Sequence, residues 1–350
     1  MKKFLGTFFY ALLLIIVIVV IFDISEKIDD FMEHDAPLHA IIFDYYMNFI
    51  PYFANLFSAL FTFISVIFFT SKMAADSEII AILSSGISYK RMLVPYFLSS
   101  LIIAIFSLIL INWVIPSANK KRLEFENTYI KRRYYNSEKN IHRQVLPNVY
   151  IYMESYNTIY NIGYKFSMEK FENGKLKSKL LSDYMQWDTT KHTWKITNYY
   201  IRDFVGDKQI ITTGRKIDSA INLKPEQFAR RNNVVEAMNH EELDTFIEEE
   251  KMRGSDNVTL WIIEKNKRLS FPFSTIILTL IGVTLSSRKK RGGIGTNIGL
   301  GILLAFSYIL FMQVSMVLAT NANVNPVFAV WIPNILYALI GLFLYHKAAK

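Results

Sequence analysis

Few residues in this chain have the type and spacing that catalysis or metal binding requires. The sequence contains no cysteine and six scattered histidines, so it has no disulfide, no thiolate ligand and little support for a zinc site. It also lacks the GxSxG, HExxH and GxxxxGK(S/T) patterns of hydrolases, zinc proteases and phosphate loops. We therefore expect no catalytic residue, no metal and no cofactor.

One glycine-rich run could in principle hold a phosphate group. It extends from Gly292 to Thr296 and follows the basic residues 288–291, but no strand precedes it, as a phosphate loop would require. We interpret it as a turn between two membrane spans, with its cations at the lipid headgroups.

The composition is that of a membrane protein. Hydrophobic residues make up 52% of the 350 positions, charged residues only 20%, and the mean hydropathy is +0.22. The apolar residues form blocks at both ends of the chain and leave a polar middle from about Lys120 to Asp256. Much of the net charge of +9 lies in short runs beside these blocks, which is typical of topology signals and gives no support for nucleic-acid binding.

Six apolar blocks are long enough to cross a bilayer, which takes about 20 helical residues. The first is too long for a signal peptide and ends in the acidic run Asp23–Asp35, so we do not expect cleavage. We expect Pro116 to close the third span. The predicted spans are Phe4–Phe22, Ile50–Phe69, Leu93–Ile115, Leu269–Leu285, Ile294–Leu318 and Val327–Tyr345.

The basic residues predict the orientation, because lysine and arginine in short loops stay on the cytoplasmic side. The short loops opposite carry Lys27 alone. Both termini are then cytoplasmic and the polar middle is periplasmic, as in a multi-pass protein of a bacterial inner membrane. The cytoplasmic set is Lys2, Lys3, Lys72, Lys90, Arg91, Arg288, Lys289, Lys290, Arg291, Lys347 and Lys350.

The polar middle is rich in short alternating segments that are typical of strands. Asn173-Gly174 separates two of them and predicts a type I′ hairpin turn. We expect a β-jelly-roll-like sheet, followed by a helix that Asn239 caps and Gly254 ends. The predicted strands are Val149–Tyr156, Ile159–Phe171, Leu176–Trp187, Thr193–Phe204 and Gln209–Ile217, with Phe166, Phe171, Tyr184, Trp187, Trp194 and Phe204 as core aromatics.

A short amphipathic helix is predicted at about residues 76–86, in the cytoplasmic loop between spans two and three. Asp76 or Ser77 would cap it, Glu78 lies in its first turn, and Gly86 supplies a left-handed stop. A helix of about ten residues needs tertiary contacts, so its stripe packs on the bundle, the bilayer or a partner. The stripe consists of Ile79, Ile82 and Leu83.

The loop and the span layout resemble one known family. The chain is similar to the LptF/LptG permeases, the transmembrane subunits of the lipopolysaccharide ABC exporter, over essentially its whole length. The resemblance implies a six-helix membrane bundle with an inserted periplasmic β-jelly-roll-like domain. The motifs that carry it are Ser77-Glu78-Ile79, Ser85-Gly86-Ile87-Ser88, Leu269-Ser270-Phe271-Pro272-Phe273 and Trp331-Ile332-Pro333-Asn334.

The resemblance also implies partners and a division of labour. A homologous permease subunit, a cytoplasmic ATPase dimer, a periplasmic jelly-roll bridge protein and lipopolysaccharide would bind this chain, and the loop helix would couple it to the ATPase through Ser77, Glu78, Ile79, Ile82, Leu83 and Gly86. Lys27 is the one candidate for a contact with the lipid's phosphates. The implied domains are 1–119 for three spans with the coupling helix, 120–238 for the sheet, 239–255 for a connecting helix and 256–350 for three spans.

Two other functions remain open at this stage. An envelope assembly or scaffold protein could use the same bundle only as an anchor, and it would tolerate a disrupted loop helix. A membrane-embedded enzyme would need a polar cluster inside the bundle. The predicted spans carry Asn112, Asn334, Gln313 and scattered hydroxyls, but almost no internal acids.

Overall fold

The computed structural model describes residues 1–130, 139–206, 208–221, 223–228, 232–255, 257–288, 293–322 and 324–348. The chain folds into a helical unit, Met1–Lys131 with Val235–Leu243 and Thr259–Lys350, and a sheet unit, Arg132–Val234 with Asp244–Val258. The expected turn at Gly292 and the cations Lys289, Lys290, Arg291 and Lys350 lie outside the described residues.

Six helices of the described residues are long and apolar enough to cross a membrane, which confirms the predicted number of spans. A seven-residue helix, α3, lies between the second and third of them, and the helix α5, His240–Met252, precedes the fourth. The bounds are α1 Lys2–Glu33, α2 Leu38–Ala75, α3 Glu78–Ser84, α4 Tyr89–Tyr129, α6 Val258–Ser286, α7 Gly293–Asn321 and α8 Pro326–Ala348.

Several helices continue beyond the predicted spans. The acidic run after Phe22 is helical as far as Glu33, so α1 is about 48 Å long at 1.5 Å per residue and exceeds a hydrocarbon core of ~30 Å. Pro116 does not end α4, contrary to our expectation. A π turn at Leu110–Val114 comes directly before it, so the missing proline N–H falls where the hydrogen-bond ladder is already irregular.

The second helix lies at the centre of the bundle. Phe63 and Ile67 of α2 pack with Leu278 of α6 and with residues of α7 and α8 in one apolar cluster. Val66, on another face of α2, packs with α1, α4 and α6 in a second cluster. A Cβ on Gly282 of α6 would lie 3.0 Å from the Val66 side chain, so glycine allows these two helices to approach closely.

Buried polar side chains connect the helices across the apolar interior. Ser107 Oγ donates to Asn55 Oδ1 at 2.6 Å. Tyr308 donates to Asn334 Oδ1 at 2.8 Å, and Asn334 Nδ2 donates to the Ser270 carbonyl at 2.9 Å. These bonds join α2 to α4 and α6 to α7 and α8, and they satisfy groups that lipid could not.

The sheet unit contains a six-stranded antiparallel meander in which every strand pairs with its neighbour in the chain. Asn173 and Gly174 have φ of 50° and 75°, which confirms the predicted type I′ geometry. The first strand was not predicted, because its mostly polar residues give a weak alternation. The strands are β1 Lys139–Leu146, β2 Val149–Asn157, β3 Ile162–Glu172, β4 Lys175–Asp188, β5 Thr193–Val205 and β6 Lys208–Ser219.

One face of the sheet is covered by the segment that follows β6. Phe228 stacks on Tyr156 with ring centroids 4.2 Å apart, and Trp194 Nε1 donates to the Leu223 carbonyl at 2.8 Å. Of the six predicted core aromatics, Phe166 and Trp194 are buried. The other four, Phe171, Tyr184, Trp187 and Phe204, are half-buried.

The helix α5 begins as the sequence predicts. The Glu242 N–H donates to Asn239 Oδ1 at 2.8 Å, and the Asn239 N–H donates to Glu242 Oε2 at 3.0 Å. This reciprocal pair satisfies two N–H groups at the helix start. Gly254 follows the helix with φ of 67°, the left-handed conformation that glycine adopts at low cost.

Candidate functional site

The loop helix α3 is held between two residues with positive φ. Ser77 precedes it with φ of 60°, and its side chain makes no capping hydrogen bond, although the sequence suggested Asp76 or Ser77 as a cap. Gly86 follows with φ of 87° and donates its N–H to the Leu83 carbonyl at 3.2 Å. Left-handed backbone is uncommon outside glycine, so Ser77 marks a sharp change of direction between α2 and α3.

One face of α3 packs on the bundle. Ile79 is only 2% exposed and lies in an apolar cluster with Ala74 of α2 and Met92 of α4. Ile82 packs against the same cluster and is half-buried. A helix of seven residues has no stability of its own in water, so these contacts hold it in place.

A second face of α3 is apolar and exposed. Ile80 is 54% exposed and Leu83 38%, and Ile87, just after the helix, is 42% exposed. Residues three apart are neighbours on a helix surface, so Ile80 and Leu83 form one patch. Glu78 is also exposed. We call Ile80, Leu83, Ile87 and Glu78 the exposed loop surface.

The structure therefore divides the six predicted coupling residues into two groups. Ile79 and Ile82 face the bundle, while Glu78 and Leu83 are exposed; Ser77 and Gly86 provide the backbone geometry at the two ends. Sequence reasoning missed Ile80 and Ile87. The spacing of residues 80, 83 and 87 is a second stripe of period i, i+3, i+7, which could have revealed them.

Lys27 lies in an aromatic cluster between α1 and α2. Its Nζ is 2.6 Å from Asp23 Oδ1 and contacts the hydroxyl of Tyr45, whose ring centroid is 4.8 Å away. Tyr46 donates to the other Asp23 oxygen at 3.1 Å. The lysine side chain is 21% exposed. It is thus a paired cation with a partly open side, and its role as a lipid contact stays a prediction.

A second charged cluster joins α4 and α6 to residues 235–238, a segment of the helical unit that includes the end of the 3₁₀ turn Asn232–Ala237. Arg268 is buried and donates to the carbonyls of Met238 and Val235 at 2.8 and 2.7 Å. Arg122 lies 3.7 Å from Glu236. The sequence did not predict this cluster, because its members are far apart in the chain. The two arginines hold the segment 235–238 on α4 and α6.

Glu236 is a carboxyl group in an unfavourable environment for its charge. Burial raises the pKa of Glu236 above its ordinary value, and the carboxylate of Glu264 raises it further, while Arg122 lowers it. The rival enzyme hypothesis needs a polar cluster in the bundle, and this is the best candidate. Its arginines, however, bind backbone carbonyls and carboxylates of the chain itself, which is a structural use of their donors.

No group of three or more histidines, aspartates and glutamates within the described residues is placed to hold a metal ion. Six membrane-competent helices with an antiparallel sheet domain inserted between the third and fourth define the class: a multi-pass membrane protein with a helical bundle and a middle β domain.

The comparison with known families identifies the chain within that class. The family model described as "Lipopolysaccharide export system permease LptF/LptG" matches residues 1–347. The chain belongs to the LptF/LptG family of lipopolysaccharide export permeases, and the resemblance found in the sequence is confirmed. No curated protein matches the chain.

Proposed function

We propose that this chain is a permease subunit that extracts lipopolysaccharide from the inner membrane and passes it toward the outer membrane, driven by a separate ATPase. A homologous permease would complete the lipid cavity, and a periplasmic jelly-roll protein would receive the lipid. The sheet within residues 120–238 would form the transfer domain, residues 239–255 the connecting helix, and residues 1–119 and 256–350 the two membrane halves. The basic residues beside the spans support a cytoplasmic location for α3.

The observation that carries the proposal is the pair of apolar faces on α3. Ile79 fixes the helix to the bundle, so a force applied to α3 reaches α2 and α4. Ile80 and Leu83 stay exposed, although exposed isoleucine and leucine in a solvent-facing loop cost free energy unless a partner covers them. Glu78 gives this surface one charged group for orientation.

Extracting lipopolysaccharide from the bilayer requires an external energy source. Exposing a buried methylene to water costs about 0.8 kcal/mol, so one chain of a dozen methylenes costs roughly 10 kcal/mol. An apolar path for the acyl chain would lower that cost, and ATP hydrolysis by the partner would provide the remainder. The missing phosphate-loop pattern supports an ATPase on another chain.

The sheet unit supports the transfer step through its edges. In the described meander, β1 and β6 are the edge strands. The Gln144 N–H of β1 already donates to the Arg253 carbonyl at 3.1 Å, so β6 is the more open edge. Ile210 and Ile211 on β6 are 53% and 54% exposed. A like domain that adds a strand to such an edge would continue the sheet.

Lys27 is proposed to bind a phosphate of the transported lipid in place of its partner Asp23. At rest it pairs with Asp23 and Tyr45. A lipid phosphate that approaches the open side would compete with the Asp23 carboxylate for the same ammonium group. The aromatic rings of Tyr45 and Phe49, 4.8 and 5.8 Å from Nζ to their centroids, would keep the cation in position during the exchange.

The decisive experiment separates the two proposed partner surfaces. Ile80→Asp on α3 and Ile211→Asp on β6 make the same substitution at two positions that are each 54% exposed. Because both isoleucines are exposed, neither substitution should unfold the protein. Each variant is expressed as the full chain and purified from native membranes. Gel filtration reports folding, and immunoblots report the co-purifying ATPase, bridge protein and lipopolysaccharide.

We expect Ile80→Asp to lose the ATPase and keep the bridge protein, and Ile211→Asp to do the opposite. Gly86→Pro should behave like Ile80→Asp, because it forbids the left-handed turn. If wild-type chain carries neither ATPase nor lipopolysaccharide, the exporter function is refuted and an anchored scaffold protein becomes the better account. If Ile80→Asp retains the ATPase, coupling through α3 is wrong.

A further inference from the structure

The helical unit carries an apolar cleft that the proposed transport does not use. It has a volume of about 640 Å³ and lies between α4, α6 and α8. Its outer wall includes Phe97 and Leu342, which are 53% and 49% exposed, so the cleft opens sideways from the bundle. Its volume falls within the range of about 300–1,000 Å³ that is typical of small-molecule sites.

The length of the cleft matches one leaflet of a bilayer. On α4 the lining runs from Lys90 to Ser100, a rise of about 15 Å at 1.5 Å per residue. The hydrocarbon core is ~30 Å thick. The cleft therefore begins at the end of the bundle near α3 and reaches about the middle of the membrane.

The floor of the cleft requires no hydrogen bond from an occupant. Ser100, Thr279 and Tyr96 are the buried lining residues with hydroxyl groups, and the Tyr96 hydroxyl accepts a hydrogen bond from Thr70 Oγ1 at 3.2 Å. Ser100 Oγ donates to the Phe97 carbonyl at 2.9 Å, and Thr279 Oγ1 donates to the Thr275 carbonyl at 2.7 Å. Because all three hydroxyls have partners within the bundle, a purely apolar chain fits there without leaving an unpaired group.

The mouth of the cleft is basic. Among the lining residues in the described part of the chain, Lys90 is the one with a charged side chain, and this side chain is exposed. It lies in the first turn of α4, where the helix dipole adds positive charge. Tyr345 also lines the mouth, and its ring centroid lies 6.1 Å from that of Tyr89. Tyrosine side chains are enriched at the level of the lipid headgroups.

We propose that this cleft is a binding site for one acyl chain of an anionic phospholipid, whose phosphate lies at Lys90. The floor accepts the chain, the depth matches a single leaflet, and the mouth supplies the opposite charge. The site holds a resident lipid of the bilayer, separate from the transported glycolipid. It is thus independent of the proposed function.

The test uses the full chain, purified in detergent, and measures lipid binding by native mass spectrometry and by thermal shift. The probes are phosphatidylglycerol, phosphatidylcholine with the same acyl chains, and inorganic phosphate. Lys90→Gln is compared with Arg91→Gln, the adjacent exposed cation that does not line the cleft. Leu342→Trp, which fills the cleft, is compared with Leu339→Trp, which is 60% exposed and outside it.

Phosphatidylglycerol should bind and raise the melting temperature of the wild type and both control variants by a few degrees, and phosphatidylcholine should bind more weakly. Lys90→Gln should weaken phosphatidylglycerol binding about fivefold, the usual effect of one surface cation on anionic lipid, and Leu342→Trp at least as much. Inorganic phosphate alone should give no shift. Equal binding by all four variants, equal binding of the two lipids, or loss of bound lipopolysaccharide in Leu342→Trp would each overturn the proposal.

Discussion

Replacing Ile79 by alanine tests how α3 is held. Its side chain is 2% exposed, and truncating a buried isoleucine costs about 2–5 kcal/mol. The helix is attached chiefly through this residue and Ile82, so the loss should fall on the docking of α3 rather than on the whole bundle. A loss of ~3 kcal/mol raises the population of the undocked loop roughly 150-fold, since each 1.4 kcal/mol is tenfold.

Hydrogen exchange followed by mass spectrometry measures this directly on a peptide that covers residues 76–88. The amides of Ala81 and Ser85 report helix opening, because they donate to the carbonyls of Ser77 and Ala81 at 3.0 and 3.1 Å. Their protection should fall by about two orders of magnitude in Ile79→Ala. Peptides from α7, which α3 does not support, serve as an internal reference.

Ile80→Ala is the matched control, since it removes the same atoms from a neighbouring position that is 54% exposed. Its effect on protection should be less than threefold, because exposed truncations change stability by about 0.5 kcal/mol or less. If both variants lose protection equally, Ile79 does not hold the helix to the bundle. Under the proposed function, Ile80→Ala weakens ATPase binding, whereas Ile79→Ala lowers transport per ATP hydrolysed.

Three further changes have defined outcomes. Gly282→Leu should lower the melting temperature of the detergent-solubilised protein through overpacking of about 1–3 kcal/mol against α2, whereas Gly299→Leu, with open space around its Cα, should not. Asn334→Leu removes the Oδ1 acceptor of the buried Tyr308 hydroxyl and the side-chain donor to the Ser270 carbonyl, and should cost about 1–2 kcal/mol in the same thermal assay. The folded-state pKa of Glu236 is raised by burial, so the folded protein binds more protons and stability falls as pH rises above about 4.3, the unfolded value. Glu236→Gln should reduce that fall between pH 5 and pH 7, and Glu172→Gln, at an exposed hairpin position, should not; equal slopes in wild type and Glu236→Gln would contradict the pKa direction.

The spans and most strands were predictable because their signals are local. In a chain of this composition, an apolar block of about 20 residues indicates a membrane span. Alternating apolar residues on both sides of Asn173-Gly174 indicate a hairpin, and this signal does not depend on residues far away in the chain. The helix ends were less predictable. Pro116 normally closes a helix, but the π turn ahead of it allows α4 to continue, and that turn has no sequence signature.

The candidate sites were predictable only in part, because contacts between distant residues decide them. The pattern identified the α3 stripe but did not separate Ile79, which the bundle buries, from Leu83, which it leaves exposed. Lys27 was found as an isolated cation, yet its neighbours Tyr45 and Tyr46 come from the next helix. Contacts between residues of different helices cannot be read from composition and spacing.

The chain-order pairing of the sheet has a consequence for biogenesis. Each hairpin closes over a short stretch of chain, so its loop-closure cost is small and it forms as soon as its two strands are available. The sheet can thus be largely complete before the α6 span is synthesised. Two later contacts need the residues after β6: Leu223 and Phe228 cover Trp194 and Tyr156, and the Gln144 N–H donates to the Arg253 carbonyl. These contacts therefore form last, just as the chain returns to the membrane.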